Sequence, residues 1–320
     1  MNRYIIRSVL IALPTILGIS FVIFAVLSLA PNDPMSQFAL NPAIPFEVRE
    51  NIRRSYGLDQ PWPIRYVKWL GTLVTTGDLG YSFGSKLPVT TLILQRLPAT
   101  LWVLGVSYII SVILALPIGI ISAVKQYSIF DNLVSTFAFV GFSVPTFVTG
   151  YLLILLLSVR LHWLPFIYDS TLVVKDLESF GQLLRQSAMP IMVLGLFETA
   201  TLARYTRASM LENLPLDYVR TARAKGINEW QVISRHAFRN SMIPVVTLIA
   251  LGVPGIFGGA LITEQIFRVP GIGSLLIHSL EASDTPVIMG VTFVFGVLVV
   301  LFNLIADIIY GFLDPRIKYT

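Results

Sequence analysis

The chain has 320 residues, of which 55% are hydrophobic and 13% charged, and its mean hydropathy is +0.75. Soluble domains carry about 25% charged residues, so this composition excludes an ordinary soluble core. The sequence has no cysteine, which excludes disulfides, thiolate nucleophiles and cysteine metal sites. The three histidines, His162, His236 and His278, are far apart in sequence, so no metal site is expected.

The net charge of +5 has two explanations. A basic balance can indicate nucleic-acid binding, but in a membrane protein basic residues mark the cytoplasmic loops. The apolar composition supports the second explanation. We therefore expect membrane lipid around the chain and no nucleic-acid partner.

Long apolar stretches recur along the chain. A bilayer core about 30 Å thick needs about 20 apolar residues in a helix that rises about 1.5 Å per residue. Six segments reach that length, at about 8–30, 100–124, 133–159, 189–208, 241–262 and 287–310. The fourth is the weakest because it carries Glu198 and Arg204. The predicted fold is an all-α membrane protein with about six transmembrane helices.

The first segment also resembles a signal peptide, since Ser28-Leu29-Ala30 has the small residues of a cleavage site. Its apolar run is longer than the roughly 7–15 residues of a signal core, and Pro31 stands where cleavage would fall. Residues 1–30 are therefore interpreted as an N-terminal transmembrane helix.

The orientation is predicted from charge. Basic residues in short loops favour the cytoplasmic side, whereas long loops count little. Placing both termini in the cytoplasm puts most basic residues outside the long 31–99 segment on that side: Arg3, Arg7, Lys125, Arg204, Arg207, Arg220, Arg223, Lys225, Arg235, Arg239, Arg316 and Lys318.

Residues 31–99 form too long a stretch for a loop without secondary structure, and they are predicted to form an extracytoplasmic helical segment. Phe46 to Arg54 is typical of a short amphipathic helix. Trp62, Tyr66 and Trp69 indicate a second helix at the membrane surface, where aromatic residues are enriched. The segment is either a cap that packs on the bundle or a docking surface for an outer partner.

The segment 205–240 is predicted to hold a short, capped helix on the cytoplasmic face. Pro215 is tolerated near a helix start, Gly226 is typical of a helix end, and Asn228 can cap the helix that follows. Leu216, Val219 and Ala222–Arg223 share one face of the helix between them. Such a basic helix suits either a groove on another protein or an anionic lipid surface.

The same residues carry a family resemblance. The stretch from Asp217 to Pro244, DYVRTARAKGINEWQVISRHAFRNSMIP, resembles the cytoplasmic loop of type I ABC importer permeases. Ala222 and Gly226 match the E-A-A, three residues, Gly signature of that loop. Arg220 and Thr221 stand where the general pattern has Glu and Ala, a departure that resembles the branch importing dipeptides, oligopeptides or nickel complexes.

Further motifs extend the resemblance over nearly the whole chain. They are GDLGYSF (77–83), RLPATLWV (96–103), SVPTFVTG (143–150), LHWLP (161–165), RVPGIG (268–273) and LDPR (313–316). Each alone is weak evidence, but the six together, in this order and at sensible spacing, are strong evidence for the resemblance to that branch. The N-terminal span followed by a long outer segment resembles the first of the two paired permeases in such systems.

The resemblance implies a type I ABC transmembrane domain at 96–312 and a homologous second permease as partner. It also implies two ATPase subunits that bind ATP and magnesium, an extracytoplasmic substrate-binding protein, and the cytoplasmic (inner) membrane of a bacterium or archaeon. The cargo would be a small peptide, a nickel chelate or another small solute. The residues that contact the ATPase would be Leu216, Asp217, Val219, Arg220, Ala222, Arg223, Ala224, Lys225 and Gly226.

The chain itself is not expected to be an enzyme or to bind a cofactor. It contains no G-x-x-x-x-G-K-[ST] phosphate loop and no Gly-Lys pair, so ATP would be bound by partner subunits. No nucleophile–base pair suits an intramembrane enzyme. An ATP-independent secondary transporter or channel is the main alternative, but it would need coupling charges within the spans.

Few polar groups fall within the spans. Charge at mid-bilayer is costly, so Glu198 is predicted either to line the translocation pathway or to form a structural ion pair. Phe142, Ser143 and Phe147 are further pathway candidates. Structural roles at the inner end of the last span are predicted for Asp307, Asp314 and Arg316. Prolines such as Pro145 and Pro190 are expected to interrupt, kink or begin spans.

Overall fold

The structure is a computed structural model that describes residues 2–29, 45–55 and 57–313. Its helices are α1 Asn2–Leu29, α2 Phe46–Ser55, α3 Trp62–Thr76, α4 Val89–Val124, α5 Ile129–Ser143, α6 Thr146–Leu153, α7 Leu177–Asn213, α8 Asp217–Ala224, α9 Glu229–Gln231, α10 Phe238–Phe267, α11 Ile272–Glu281 and α12 Thr285–Leu313. Two π-helical segments, Ile154–Arg160 and Val232–Ala237, follow α6 and α9. Within the described ranges there is no strand, only an isolated bridge between Tyr81 and Pro88. The predicted all-α fold is confirmed.

Four helical stretches within the described residues are long and apolar enough to cross a membrane: Leu10–Leu29, Val89–Val124, Glu229–Val253 and Thr285–Ile305. The third of these runs without a break through α9, the π-helical segment after it and the first part of α10. A fifth span results if the bent pair Ile129–Gly141 and Thr146–Arg160 counts as one. The predicted span at 189–208 lies within α7, which is continuous over 37 residues but more polar. A sixth span therefore stays a prediction.

The predicted third span, 133–159, is broken at Pro145. α5 ends at Ser143, α6 begins at Thr146, and the two helical directions differ by 103°. The helical region is disfavoured for a residue before proline, and Val144 is accordingly extended, with φ −89° and ψ 123°. Pro145 also lacks the N–H that would continue the ladder. The break is thus a local consequence of the Val-Pro pair.

Two helices begin well before the spans predicted for them. α4 starts at Val89 rather than near residue 100, and its 36 residues give about 54 Å of helix, more than the bilayer core requires. α7 starts at Leu177, twelve residues before the predicted span. Its start is fixed by a capping box, in which Asp176 and Ser179 each accept a hydrogen bond from the other's backbone N–H.

The chain divides into two compact units. The larger comprises residues 2–5, 100–269 and 302–313 within the described ranges. In it α7 is central, because α5, α6 and α10 all pack along it. α4 approaches α7 so closely that Gly119 lies against Ala203 and Thr206. This crossing sets the C-terminal ends of α4 and α7 side by side.

The smaller unit comprises residues 6–29, 45–55, 57–99 and 270–301. It contains α2 and α3, which confirms both helices predicted in the 31–99 segment. α3 lies along α1, where the hydroxyls of Tyr66 and Ser20 are 3.0 Å apart. The Tyr66 ring also packs edge-on against Phe21, at 5.4 Å between centroids. The aromatic residues that indicated a surface helix thus hold it to the first span.

The GDLGYSF motif of the smaller unit wraps around a buried carboxylate. Asp284, which precedes α12, accepts hydrogen bonds from the Ser82 hydroxyl at 2.5 Å and from the backbone N–H groups of Phe83 and Gly84 at 3.0 and 3.2 Å. Its side chain is buried. These bonds satisfy the carboxylate and fasten the motif to the start of the last helix.

Candidate functional site

The predicted cytoplasmic helix is present as α8, between α7 and α9. Leu216 precedes it in an extended conformation, and the helix ends at Ala224, followed by Lys225 and Gly226. The N–H of Gly226 bonds to the carbonyl of Arg223 at 3.0 Å, and that of Ile227 to Ala222 at 3.4 Å. This bond pair, with Gly226 at φ 73°, is the Schellman arrangement that ends a helix sharply.

One face of α8 is covered by the chain itself. Val219 is fully buried and Ala222 is 4% exposed. They form a cluster with residues from the ends of α4 and α7 and from the segment after α9: Ala123, Met210, Val232, Ile233 and Ala237. Val219 and Ala222 were among the predicted ATPase contacts, but in the structure they anchor α8 rather than face outward.

The opposite face of α8 is open. Leu216, Asp217, Arg220, Ala224 and Lys225 are all exposed. Arg220 and Asp217 approach to only 3.8 Å and both side chains are largely solvated, so this pair adds little stability. A partner protein would therefore contact α8 through this exposed face.

An ion pair crosses the turn by which the chain leaves α8. The Arg223 guanidinium donates to both carboxylate oxygens of Glu229, with a shortest distance of 2.7 Å. These hydrogen bonds raise the pKa of Arg223. Sequence reasoning missed Glu229, because the two residues meet only once the turn at Gly226 is formed. Their spacing of six residues is not a helical contact spacing.

The next helix starts as predicted at Asn228. Its side-chain oxygen accepts a hydrogen bond from the backbone N–H of Trp230 at 2.9 Å, which caps the first turn of this helix. Trp230 itself is 73% exposed. The open face of α8 and this large aromatic side chain both belong to the same segment between α7 and α10.

The predicted pathway residues fall on three helices. Ser143 ends α5 and its hydroxyl donates to the Phe139 carbonyl at 2.8 Å, whereas Phe147 lies in α6 and is 44% exposed. Glu198 lies in α7 and is partly exposed. A Cβ on Gly141 of α5 would touch the Cβ of Ala200 in α7 at 3.7 Å, so Ser143 and Glu198 occupy the same level of neighbouring helices.

Phe142 and Asp307 lie in α5 and α12, but their side chains fall outside the described ones. Asp314 and Arg316 lie outside the described residues altogether. Among the residues that are described, no group of three or more His, Asp or Glu could hold a metal ion.

The chain is similar to known transport proteins along its whole length. The family described as binding-protein-dependent transport system inner membrane component matches residues 115–319, and its N-terminal component matches residues 1–104. The chain is 42% identical over 320 residues to the oligopeptide transport system permease protein AppB of Bacillus subtilis (strain 168), covering 100% of both. It is 36% identical over 340 residues to the dipeptide transport system permease protein DppB of Escherichia coli (strain K12), covering 100% of this chain and 99% of DppB.

A solved structure, a crystal structure of an amino acid ABC transporter with histidines, shares the fold. Its TM-score is 0.51 at 15% identity, covering 69% of this chain and 94% of that one. The sequence matches extend over the segment that holds α8 and its anchoring cluster. The chain belongs to the family of binding-protein-dependent transport system inner membrane components.

Proposed function

We propose that the chain is the membrane-spanning permease subunit of an ATP-binding-cassette importer that moves small peptides across the cytoplasmic membrane of a bacterium or archaeon. The observation that carries this proposal is α8, a short helix anchored on its inner face and open on its outer face. A short helix held rigidly in this way, with its charged face free, suits docking on another protein. The names of the full-length relatives support peptides as the cargo.

The proposed partners follow from what this chain lacks and what it presents. It has no phosphate loop, so ATP hydrolysis belongs to two separate ATPase subunits. α8 would dock on one of them, a homologous second permease would dock on the other, and an extracytoplasmic binding protein would deliver the peptide. Residues 96–312 would form the transporting domain, with 31–99 outside the membrane and both termini in the cytoplasm.

The test is reconstitution with these partners. We expect the chain to co-purify with a second permease and the ATPases, and ATP hydrolysis to rise when peptide-loaded binding protein is added. A nickel chelate tested in parallel separates the two cargo classes. Uptake by the chain alone, without ATP, would instead support a secondary transporter.

The open face of α8 gives a sharper prediction. We expect Arg220→Glu with Lys225→Glu to reduce co-purification of the ATPase at least about tenfold, or about 1.4 kcal/mol, because two exposed cations become anions. Pull-down from membranes containing equal amounts of permease measures this. Lys175→Glu, an exposed change in the loop before α7, is the control and should have no effect. Undiminished ATPase recovery by the double variant would contradict docking at α8.

The partly buried carboxylate of Glu198 gives a prediction about cargo. If it lines the pathway, Glu198→Gln should slow uptake of positively charged peptides severalfold without changing protein abundance, because a negative charge in a low-dielectric passage attracts cations. Glu212→Gln, an exposed change on the same helix, is the matched control. An unchanged rate for cationic peptides would leave Glu198 with a structural role.

A further inference from the structure

A buried ion pair joins α5 to α7 close to α8. The Nε of Arg207 lies 2.6 Å from one carboxylate oxygen of Asp131, and a terminal guanidinium nitrogen lies 2.8 Å from the other. This is the bidentate geometry that fixes both distance and orientation. The side chain of Asp131 is 2% exposed and that of Arg207 is 26% exposed.

The same carboxylate also holds the connection between α4 and α5. The Ser122 hydroxyl, in the last turn of α4, donates to Asp131, as does the backbone N–H of Tyr127 at 2.9 Å. Tyr127 has a positive φ of 63°, an unfavourable conformation for a tyrosine. Asp131 therefore fixes the end of α4, a strained turn, the start of α5 and the inner part of α7 relative to one another.

The groups that hold Asp131 lie next to those that anchor α8. Ser122 is followed by Ala123, and Arg207 is one helical turn before Met210. Ala123 and Met210 both belong to the buried cluster against which Val219 and Ala222 pack. A displacement of α8 thus reaches Ser122 and Arg207 through one layer of close-packed side chains. Such packed contacts and ion pairs are the physical means by which distant elements are coupled.

We propose that Asp131 and Arg207 are positioning residues that carry the movement of α8 to α5 and so to the broken helix at Pro145. This inference rests on the proposed function, since it assumes that an ATPase moves α8. A bidentate pair fixes the orientation as well as the distance between two helices, which apolar contact alone does less strictly. Without the pair, α8 would still bind the ATPase, but α5 would no longer follow it.

The test compares single and double neutral variants. Arg207→Gln leaves the buried Asp131 carboxylate without its counterpart, so it should lower protein abundance as well as uptake. Asp131→Asn leaves the partly exposed Arg207 unpaired, so it should lower uptake with a smaller loss of abundance. The double variant removes both charges and should recover abundance, co-purification and basal ATP hydrolysis. Its uptake per ATP hydrolysed should stay at least tenfold below that of the unaltered complex. Equal coupling in the double variant and the unaltered complex would overturn the proposal.

A distance measurement separates this inference from the proposed function. Because the chain has no cysteine, spin labels can be placed at two exposed residues, Ile129 at the start of α5 and Ser234 in the π-helical segment that packs on α8. With the pair intact, the label distance should be the same in nucleotide-free and ATP-bound complexes, and it should change in the double variant. A distance that changes in the unaltered complex, or that stays fixed in the double variant, would overturn the proposal.

The exposed side chains of His278 and Glu281 in α11, 3.6 Å apart at their closest, are the control for loss of an ion pair as such. Neutralising them as His278→Gln with Glu281→Gln should leave coupling unchanged, because exposed pairs contribute little. Co-purification and basal ATP hydrolysis of the unaltered complex report the proposed function by themselves. Their absence would refute that function, whereas their presence with no effect of the double variant would refute only the transmitting role.

Discussion

Replacing Gly226 by valine is expected to abolish uptake while the chain still accumulates in the membrane. Gly226 has φ 73°, a conformation that costs other residues about 1–2 kcal/mol and a β-branched residue more. A Cβ there would meet no atom within 4 Å, so the damage would come from the backbone and not from a clash. The Schellman bonds and the Arg223–Glu229 pair would be lost, and α8 would no longer be held at a fixed angle.

The side chain placed at Gly226 tests this explanation. Asparagine tolerates the left-handed conformation, so Gly226→Asn should retain most uptake, and Gly226→Ala should be intermediate. Gly181→Val, in α7, adds the same side chain in open space without a positive φ and should transport normally. Uptake and membrane abundance are measured together. Normal uptake by Gly226→Val would remove α8 from the coupling mechanism.

The local features of α8 could be predicted from sequence because their signals are local. Pro215, Gly226 and Asn228 act on the residues beside them, and each predicted helix boundary was confirmed to within a residue or two. The helices at Phe46 and Trp62 were predicted for the same reason. In each case a few neighbouring residues determine the backbone.

Which face of α8 packs on the rest of the chain and which stays exposed could not be predicted. The spacing of Leu216, Val219 and Ala222 indicates an apolar face, but not whether the protein itself or a partner covers it. In the structure the chain covers Val219 and Ala222, while Leu216 is 45% exposed. The Asp131–Arg207 pair was missed because its members are 76 residues apart and no local pattern connects them.

The prolines show a third limit. Pro145 separates two helices, whereas Pro190 lies inside the continuous helix α7. Both were predicted only to disturb a span. The outcome depends on whether surrounding helices can satisfy the carbonyl that the proline leaves free. Pro190 is buried among helices of the larger unit, and that packing is a property of the fold, not of the neighbouring sequence.

Replacing Gly119 by alanine is expected to prevent stable accumulation of the chain. A Cβ at this position would lie 2.6 Å from the Cβ of Thr206 and 2.7 Å from the carbonyl oxygen of Ala203. A backbone oxygen cannot yield unless the whole of α7 moves, so α4 and α7 would have to separate. Overpacking of this kind costs about 1–3 kcal/mol, and small residues at a helix crossing are what allow the close approach. Membrane abundance and the Tm of the solubilised protein measure the effect.

Gly105 provides the matched control, because it lies in the same helix and a Cβ added there would meet no atom within 4 Å. Gly105→Ala should be neutral or slightly stabilising, since alanine favours a helix over glycine by about 0.5–1 kcal/mol. Thr206→Gly should restore part of the stability lost in Gly119→Ala, because it removes the Thr206 contacts but leaves the Ala203 carbonyl. If Gly119→Ala and Gly105→Ala had the same effect, the close crossing of α4 and α7 would not be what holds the C-terminal ends of these helices together. The cluster that anchors α8 would then not depend on that crossing.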